Sequence, residues 1–357
     1  MMKLKLINIL FIISIIDYSF GVYRNGTTSM NFLEVDIASS QVAMGGASVS
    51  YVKDASSTYW NPAGLAFANK SEVLFFNQSW IADINHTYTS AILPLTNGSA
   101  IGFSLNAVSY GDIEVTTLED QDGTGEFYSP IEYSASVSYA RKFVDWFGFG
   151  SSVKYIRSQI WHSSASAFAM DLGVQIYTDF MSSSKGEHDG VKIGMSISNY
   201  GTRIQYDGLD LYQPIDISDE YGNYSDVWGQ FHTSKWELPI LFRLGVSNDF
   251  IKSRNQSLNI AIDAIHPNND KERINLGMEY SFTISELYNF YLRGGYKGIS
   301  IEGVSDGKIQ FSSPFGPAYG LGLSIPIQKV AKLKADYTLR FVGRFGMIKL
   351  ITLGLEF

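Results

Sequence analysis

The sequence predicts an all-β protein, a transmembrane antiparallel β-barrel of about 14 strands with an N-terminal hatch or plug segment. Three observations lead to this prediction. The chain ends on a strand with one apolar and one polar face, similar segments recur from residue 71 onward, and the N-terminus has the form of an export signal. The composition agrees, because 14% aromatic and 17% charged residues suit a large antiparallel sheet better than a soluble α/β enzyme.

The first residues form a predicted signal peptide, residues 1–21. Two lysines are followed by an apolar run from Leu6 to Ile16, which has the length of a signal-peptide core. The small residues Ser19 and Gly21 predict cleavage after Gly21. The alternative is a single membrane anchor, which takes about 20 apolar residues. We therefore expect export through a cleaved signal and no transmembrane helix.

Segments with strand character fill the predicted barrel, residues 70–357. In one of them Val137 and Tyr139 alternate with Ser136 and Ser138, so apolar and polar side chains face opposite ways. The number of segments is even, as single-chain bacterial barrels require. The predicted strands are 71–80, 86–95, 98–107, 130–143, 146–158, 165–178, 190–200, 235–248, 256–265, 272–283, 287–297, 316–326, 330–340 and 347–357.

The lengths of the connections distinguish a membrane barrel from a soluble sandwich, whose apolar faces point inward. Connections 108–129, 201–234 and 298–315 are long, and all three follow odd-numbered strands, which places them at one end. Turns at the other end are short, except for the polar stretch 179–189. Long external loops and short periplasmic turns are typical of outer-membrane barrels. We expect the N-terminal segment and Phe357 on the periplasmic side.

Charged residues on the polar strand faces are expected to point into the lumen. On the lipid face, each would cost about 2–4 kcal/mol at the membrane midplane. We expect a solvated, salt-bridged lumen, with a role in selectivity as the alternative. The predicted lumen charges are Glu132, Lys192, Arg243, Asp263, Arg273, Glu279, Arg293, Lys334, Asp336 and Arg340.

The block between signal and barrel, residues 22–69, is too apolar and too patterned for a disordered tail. A barrel of about 14 strands is too wide for its own side chains to fill. We therefore predict that the block folds into the lumen as a hatch, with a periplasmic cap carrying a short helix at Phe32–Ala38 as the alternative. Its turn combines an Asn-Pro step, biased to extended geometry, with a glycine that can take positive φ. The predicted hatch motif residues are Gly45, Gly46, Asn61, Pro62 and Gly64.

The last strand carries the candidate barrel-assembly signal. Ile351, Leu353, Leu355 and Phe357 share one face. A strand that ends in Phe, with apolar residues at every second position before it, resembles the closing strand of bacterial outer-membrane barrels. In that group the barrel-assembly machinery reads this strand, which makes Phe357 the candidate signal residue.

Motifs at both ends carry a family resemblance. The run Asn31–Phe67, with Ala43-Met44-Gly45-Gly46-Ala47 and the Tyr59–Leu65 turn, resembles the N-terminal signature of the PorV/PorQ family. Ala335-Asp336-Tyr337 and the end Thr352–Phe357 agree with it. That family is similar to the FadL group, barrels with an N-terminal hatch that pass hydrophobic molecules such as long-chain fatty acids.

The resemblance implies an outer-membrane protein of a Gram-negative cell that takes part in type IX protein secretion. PorV-like barrels accept secreted proteins by their C-terminal signal domains and carry them from the translocon to an attachment complex. The chain has the generic pattern between the Gly-rich element and the Asn-Pro turn, so PorV-type and PorQ-type roles are not separated. FadL-like uptake of a hydrophobic small molecule and a purely structural role are the alternatives.

The loop 201–234 is the predicted site of partner contact, because aromatic side chains favoured at interfaces concentrate there. The alternative is that these aromatic residues pack the loop over the lumen mouth. The predicted partner-loop residues are Tyr206, Tyr212, Tyr221, Tyr224 and Trp228. The expected partners are outer-membrane lipid, the barrel-assembly machinery, secreted cargo and secretion-system components.

No pattern indicates an enzyme, a cofactor or a metal site. The five His residues are scattered without zinc-ligand spacing, and no Cys is present for thiolate chemistry. Asp120, Asp122, Thr124 and Glu126 alternate like a calcium loop but lack the remaining ligands of an EF-hand, so we expect a solvated acidic loop. The net charge of −8 argues against a nucleic-acid partner.

Overall fold

The computed structural model describes residues 24–80, 84–182, 188–217, 227–284, 288–305, 308–313, 315–327 and 331–357. The predicted signal peptide and two residues of the predicted partner loop, Tyr221 and Tyr224, lie outside the described residues. Fourteen long strands in the described ranges form one antiparallel wall. They are β1 Glu72–Ser79, β2 Asn85–Pro94, β3 Ser99–Ser109, β4 Ile131–Val144, β5 Phe147–Ile160, β6 Ser163–Tyr177, β7 Lys192–Gly201, β8 Leu241–Lys252, β9 Gln256–Pro267, β10 Arg273–Ile284, β11 Tyr288–Ser305, β12 Pro317–Ile327, β13 Ala331–Phe341 and β14 Met347–Glu356.

The wall closes between its first and last strands. Glu72 of β1 lies opposite Glu356 of β14, and every other strand pairs with its neighbours in chain order. The predicted β-barrel is therefore confirmed. Two boundaries differ most from the prediction. β11 continues to Ser305 instead of ending at Lys297, because its end pairs with the short strand Lys308–Ser312. β8 starts at Leu241 rather than near Lys235. The reason is that Trp236 bridges Ile204 in the external loop instead of continuing the wall.

The alternating pattern sorts side chains between lipid and lumen as predicted. In β4, Val137 and Tyr139 are exposed on the outside, whereas Ser136 and Ser138 are buried. β1, β5 and β6 follow the same period of two, and burial alternates residue by residue along β14. An apolar outer face is what a strand needs in the hydrocarbon of a bilayer.

Short elements complete the described chain, and no helix among them is both long and apolar enough to cross a membrane. The helical elements are α1 Ser39–Ala43, α2 Ser57–Trp60 and the 3₁₀ turns Asn31–Glu34, Pro62–Phe67, Thr96–Gly98, Leu209–Leu211 and Gly343–Phe345. The short strands are Ile113–Glu114 with Phe127–Tyr128, Tyr212–Ile215 with Val227–Gln230, Asp207–Gly208 against β6, and Lys308–Ser312 against β11.

The long connections after β3, β7 and β11 lie at one end of the barrel, which we call the loop end; the opposite end is the turn end, where the connection between β6 and β7 is the exception to the short turns. The N-terminal segment was expected on the periplasmic side with Phe357, folded into the lumen as a hatch; it does lie in the lumen, but its start reaches the opposite, loop end. The Ser29 amide donates to the Glu237 carbonyl at the loop end (3.0 Å), whereas Phe67 stacks on Tyr177 at the turn end (4.3 Å between ring centroids). The segment therefore runs along the full height of the lumen, and its first apolar residues, Met30, Phe32 and Leu33, pack in one cluster with Ile204 and Leu238 near the long loops.

Candidate functional site: the hatch and the external loops

The hatch presses its backbone against the inner wall at Gly45. Gly45 has φ 67, and a Cβ there would lie 2.7 Å from the Leu276 carbonyl oxygen of β10. Opposite it, a Cβ on Gly295 of β11 would collide with the Gly45 nitrogen, and one on Gly277 of β10 would collide with the Met44 carbonyl. Glycines on both surfaces therefore let two backbones touch, where any side chain would push them apart.

The turn of the hatch is held by a buried asparagine. Asn61 Nδ2 donates to the carbonyl of Val49 (2.8 Å) within the hatch and to that of Val174 (3.0 Å) on β6. Its Oδ1 accepts from the Ala63 amide (3.1 Å), which caps the following 3₁₀ turn. One side chain thus joins two parts of the hatch to the wall.

Gly64 has a different role from the one expected, and the other motif residues make close contacts as well. Gly64 is not among the glycines with positive φ; it lacks room for a side chain because Val52 and Ser57 lie against it. Pro62 lies against Gly150 of β5 in the same manner. Gly46, with φ 77, lies under the Trp60 ring. Close approach, rather than turn geometry alone, explains the glycine at position 64.

An ionic cluster fixes the start of the hatch at the loop end. Buried Asp36 accepts from Lys297 Nζ (2.5 Å) on β11 and from Arg340 (3.1 Å) on β13. The Phe315 ring, from the connection between β11 and β12, covers both cations at 4.9 and 4.7 Å. Glu34 adds a bond to Asn269 and an ion pair with Arg273. Two cations around one carboxylate compensate charges that burial would otherwise make costly.

Most of the predicted lumen charges are paired, and several are buried against protein where a solvated lumen was expected. Arg293 contacts Glu279 and Asp336, each at 2.5 Å. Asp263 is fully buried and accepts the Ser48 amide (2.8 Å) of the hatch. Because the hatch occupies the lumen, several wall charges bind protein instead of facing water. The remaining pairs follow the same rule: Lys334 with Glu72 and Glu356, Lys192 with Asp249, and Glu132 with the Tyr110 hydroxyl.

Arg243 has an aromatic neighbourhood in place of a carboxylate. Its guanidinium lies 5.5 Å from the Trp60 ring centroid and 5.6 Å from that of Tyr59, and it donates to Ser198 Oγ (2.9 Å). Tyr59 and Trp60 belong to α2 of the hatch. A cation over two ring faces is attracted by their quadrupoles, so this contact too attaches the hatch to the wall.

Sequence reasoning missed several of these groups. Asp36, Lys297, Lys154 and Asp171 all make buried ion pairs, the last two with each other at 2.6 Å. Lys154 and Asp171 occupy lumen-facing positions of β5 and β6, so the period of two was a signal that could have identified them. No such signal existed for Asp36, which lies in an irregular segment.

Two apolar clefts lie on the outside of the wall. One, of ≈ 590 Å³, is lined by exposed residues including Phe103, Val137 and Phe168. The other, of ≈ 430 Å³, is lined by residues including Leu292 and Leu321. Both lie on the lipid face of strands, so acyl chains are the expected contents.

The predicted partner loop divides into an inner and an outer part. Tyr206 is half-buried and donates to Ser158 Oγ (2.9 Å) on β5, which positions the loop. Tyr212 and Trp228 lie on the hairpin Tyr212–Ile215/Val227–Gln230, and Trp228 is 69% exposed. The hairpin therefore presents aromatic side chains to the exterior.

The Trp161–His162 turn between β5 and β6, which the sequence analysis did not single out, connects the predicted partner loop to the loop after β3. Tyr128 stacks on Trp161 (5.7 Å), and Trp161 stacks on His162 (4.4 Å). The His162 ring contacts Asp210 (3.0 Å), and its backbone amide donates to the same carboxylate. Burial opposes ionisation of Asp210, but hydrogen bonds from His162 and Ser163 outweigh it and lower the pKa of the carboxyl. The loop after β3 and the loop after β7 are thereby tied together.

Phe357 lies at the turn end, where its amide donates to the Ser71 carbonyl (2.9 Å). Its side chain is about half exposed. It follows β14 directly, on the outward side that the period of two predicts. The ring is therefore accessible from the membrane side of the barrel seam.

The sequence matches, over residues 22–222, the family model described as type IX secretion system protein PorV. The match covers the hatch, strands β1 to β7 and the first strand of the external hairpin, Tyr212–Ile215. The chain belongs to the PorV family. This PorV-family protein is thus an outer-membrane β-barrel associated with type IX secretion. No curated protein matches the sequence closely enough to count as a relative.

Solved structures place the barrel in the FadL-like fold. The toluene transporter TodX of Pseudomonas putida matches with a TM-score of 0.53 and 12% identity, over 89% of this chain and 96% of that one. A FadL homologue of Pseudomonas aeruginosa matches with a TM-score of 0.51 and 13% identity, over 90% and 98%. The toluene transporter TbuX of Ralstonia pickettii gives 0.52 and 10%, over 89% and 97%. Identities this low carry the fold alone.

Proposed function

We propose that this PorV-family barrel binds secreted cargo or secretion-system components through its external hairpin while the hatch stays in the lumen. The observation that carries the proposal is the exposed hairpin Tyr212–Ile215/Val227–Gln230 on a PorV-family barrel. Its described aromatic residues, Tyr212 and Trp228, are exposed, and Trp and Tyr are among the residues that most often dominate binding energy at interfaces.

The contacts of the hatch favour a docking role for the barrel rather than a role as an open channel. Its contacts run from Ser29 at the loop end through Asp36 and Asn61 to Phe67 at the turn end. Opening a passage would break buried ion pairs and hydrogen bonds along that whole path. Binding at the external loops needs no such rearrangement.

The test replaces the hairpin without disturbing its base. Leu211 and Phe231 are joined by a backbone hydrogen bond of 2.8 Å, so a short Gly-Ser linker can substitute for residues 212–230. The tagged barrel is then purified from gently solubilised outer membranes, and co-purifying proteins are identified. We expect the replacement to abolish recovery of secreted proteins with C-terminal signal domains or of a translocon component.

The matched control is Phe345→Ser, which changes an exposed aromatic at the same end but on a separate turn. It should leave partner recovery unchanged. Retention of partners by the hairpin replacement would show that another surface binds them. Recovery of the barrel alone from the wild type, together with lipid or fatty acid, would favour uptake of a hydrophobic small molecule.

We also infer export through a signal cleaved after Gly21. Residues 28–30 lie at the loop end, inside the mouth of the barrel. A chain that enters the lumen from the periplasm reaches this position most simply when its N-terminus is short and free, which supports cleavage of the signal. Mass spectrometry of the mature protein should find Val22 as its first residue. A mature chain that still begins at Met1 would contradict cleavage.

A further inference from the structure

Two external loops that are joined by a chain of contacts combine an acidic part with exposed apolar side chains. The first part is residues 111–129, after β3, and the second is the hairpin Tyr212–Ile215/Val227–Gln230, after β7; we call these together the external rim. We propose that the external rim docks a protein whose contacting face is basic and carries exposed apolar side chains. The inference rests on the proposed function and adds the chemistry of the partner.

The first part of the rim has a strongly one-sided charge. Residues 111–129 contain six carboxylates and no Lys, Arg or His. All six are exposed, and among the described residues none of them forms an ion pair. The six are Asp112, Glu114, Glu119, Asp120, Asp122 and Glu126. Like charges this close repel one another, and a positive partner surface would relieve that repulsion and accelerate encounter.

Exposed apolar side chains lie among these carboxylates and on the second part of the rim. Leu118 is 93% exposed, and Phe127 is 60% exposed. On the second part of the rim, Trp228 is exposed to a similar degree, as is Ile217 next to the hairpin. Leu118 lies nine positions beyond the end of β3, outside the wall that contacts lipid. Exposed apolar side chains within a polar surround are the arrangement of a protein interface.

The two parts of the rim are fixed relative to each other in the absence of a partner. Tyr128, Trp161, His162 and Asp210 connect them in one chain of stacked rings and hydrogen bonds. A surface that is already ordered loses less conformational entropy on binding. A lipid headgroup fits this rim poorly, because the phosphates of an outer-membrane lipid are negative as well. A protein face that combines lysine or arginine with apolar residues satisfies both features of the rim.

The test uses the full barrel in detergent and a designed probe. The probe is a soluble β-sandwich protein with six lysines and two leucines on one sheet face; a second form replaces the lysines with glutamate. Binding is measured on immobilised barrel at low and high salt. The wild-type barrel should bind the lysine form, and its affinity for that form should fall at least tenfold at high salt. It should not bind the glutamate form.

Two variants of the barrel separate charge from apolar contact. Neutralising Glu119, Asp120, Asp122 and Glu126 to the matching amides should lower affinity for the lysine probe at least tenfold and remove its salt dependence. Leu118→Ala with Trp228→Ala should also lower affinity at least tenfold but keep the salt dependence. Asp145→Asn, at an exposed carboxylate of the turn end, is the matched control and should bind like the wild type.

Equal binding of both probes, or unchanged binding by the neutralised rim, would overturn the inference. Binding of the lysine probe that depends on added calcium and disappears with a chelator would assign the carboxylates to a divalent cation, and this too would overturn it. The proposed function fails separately, when hairpin replacement leaves partner recovery from native membranes intact. A rim that binds the basic probe in a protein that recovers no secretion partner would therefore retain the inference about chemistry and refute the function.

Discussion

Asp36 of the hatch and Lys297 of β11 form a buried ion pair of 2.5 Å, although 261 positions separate them in the chain. Arg340 shares the same carboxylate, and Phe315 covers both cations. The pair joins the first part of the hatch to the strands that carry the third long loop. This relationship makes the hatch a structural part of the loop end of the barrel.

Removing the shared carboxylate should destabilise the protein strongly. Asp36→Asn would leave Lys297 and Arg340 buried with one anion fewer, and breaking such a pair costs about 3–5 kcal/mol. The measurement is the free energy of unfolding of the detergent-folded barrel in urea. Asp145→Asn, which breaks an exposed pair of 3.5 Å, should change it by less than about 1 kcal/mol. Equal effects of the two variants would refute the role of Asp36.

The glycine contact between hatch and wall should be intolerant of a single methyl group. Gly295→Ala would place a Cβ against the Gly45 nitrogen, and overpacking of this kind costs about 1–3 kcal/mol. We expect the barrel to form but the hatch to become accessible to protease. The neighbouring Gly294→Ala meets no atom within 4 Å and is the control. If both variants resist protease equally, the hatch does not depend on this contact.

The link between the two external loops should be lost in strong acid. Because the pKa of Asp210 is lowered in the folded protein, its contribution is fully present above its ordinary pKa of 3.8. That contribution disappears as the pH falls through the lowered value. Trp161 stacks on His162, the partner of Asp210, so its fluorescence reports the link. Asp210→Asn should show the acid-form emission already at neutral pH; a spectrum like that of the wild type would contradict the link.

Phe357 should affect assembly more than stability. Its side chain is about half exposed, and its backbone amide donates the hydrogen bond to the wall. Phe357→Ala should therefore lower the amount of barrel inserted in the outer membrane of cells. In detergent, its free energy of unfolding should stay within about 0.5 kcal/mol of the wild type. Phe345→Ala, an exposed aromatic at the loop end, is the control for insertion. Normal insertion of the Phe357 variant would exclude the assembly role.

The barrel could be predicted because its information is local. Alternation at every second residue, as in Val137 and Tyr139, identifies strands and their outward faces without any distant contact. Turn length identified the loop end for the same reason. The identity of the family rested on short motifs around Gly45 and Asn61 together with the closing strand, and the PorV match bears it out.

The inner contacts could not be predicted because they join distant segments. No pattern near Asp36 in the sequence indicates that it pairs with Lys297 or Arg340. Strand parity predicts at which end of the barrel each strand ends, but it does not predict the path of an irregular hatch. Gly64 was assigned to turn geometry, whereas the constraint is a neighbour that only the fold brings close. The Trp161–His162 turn carries its role through stacking on Tyr128, which the sequence places 33 positions away.

The most direct test of the account is site-specific photo-crosslinking in cells that secrete type IX cargo. A photoreactive phenylalanine derivative replaces Trp228 in one strain and Phe143, an exposed residue near the turn end of β4, in another; a third strain carries it at Tyr212. We predict covalent adducts with secreted cargo or a secretion-system component at positions 228 and 212, and none at 143. Adducts absent from both hairpin positions, or identical at all three, would contradict this prediction.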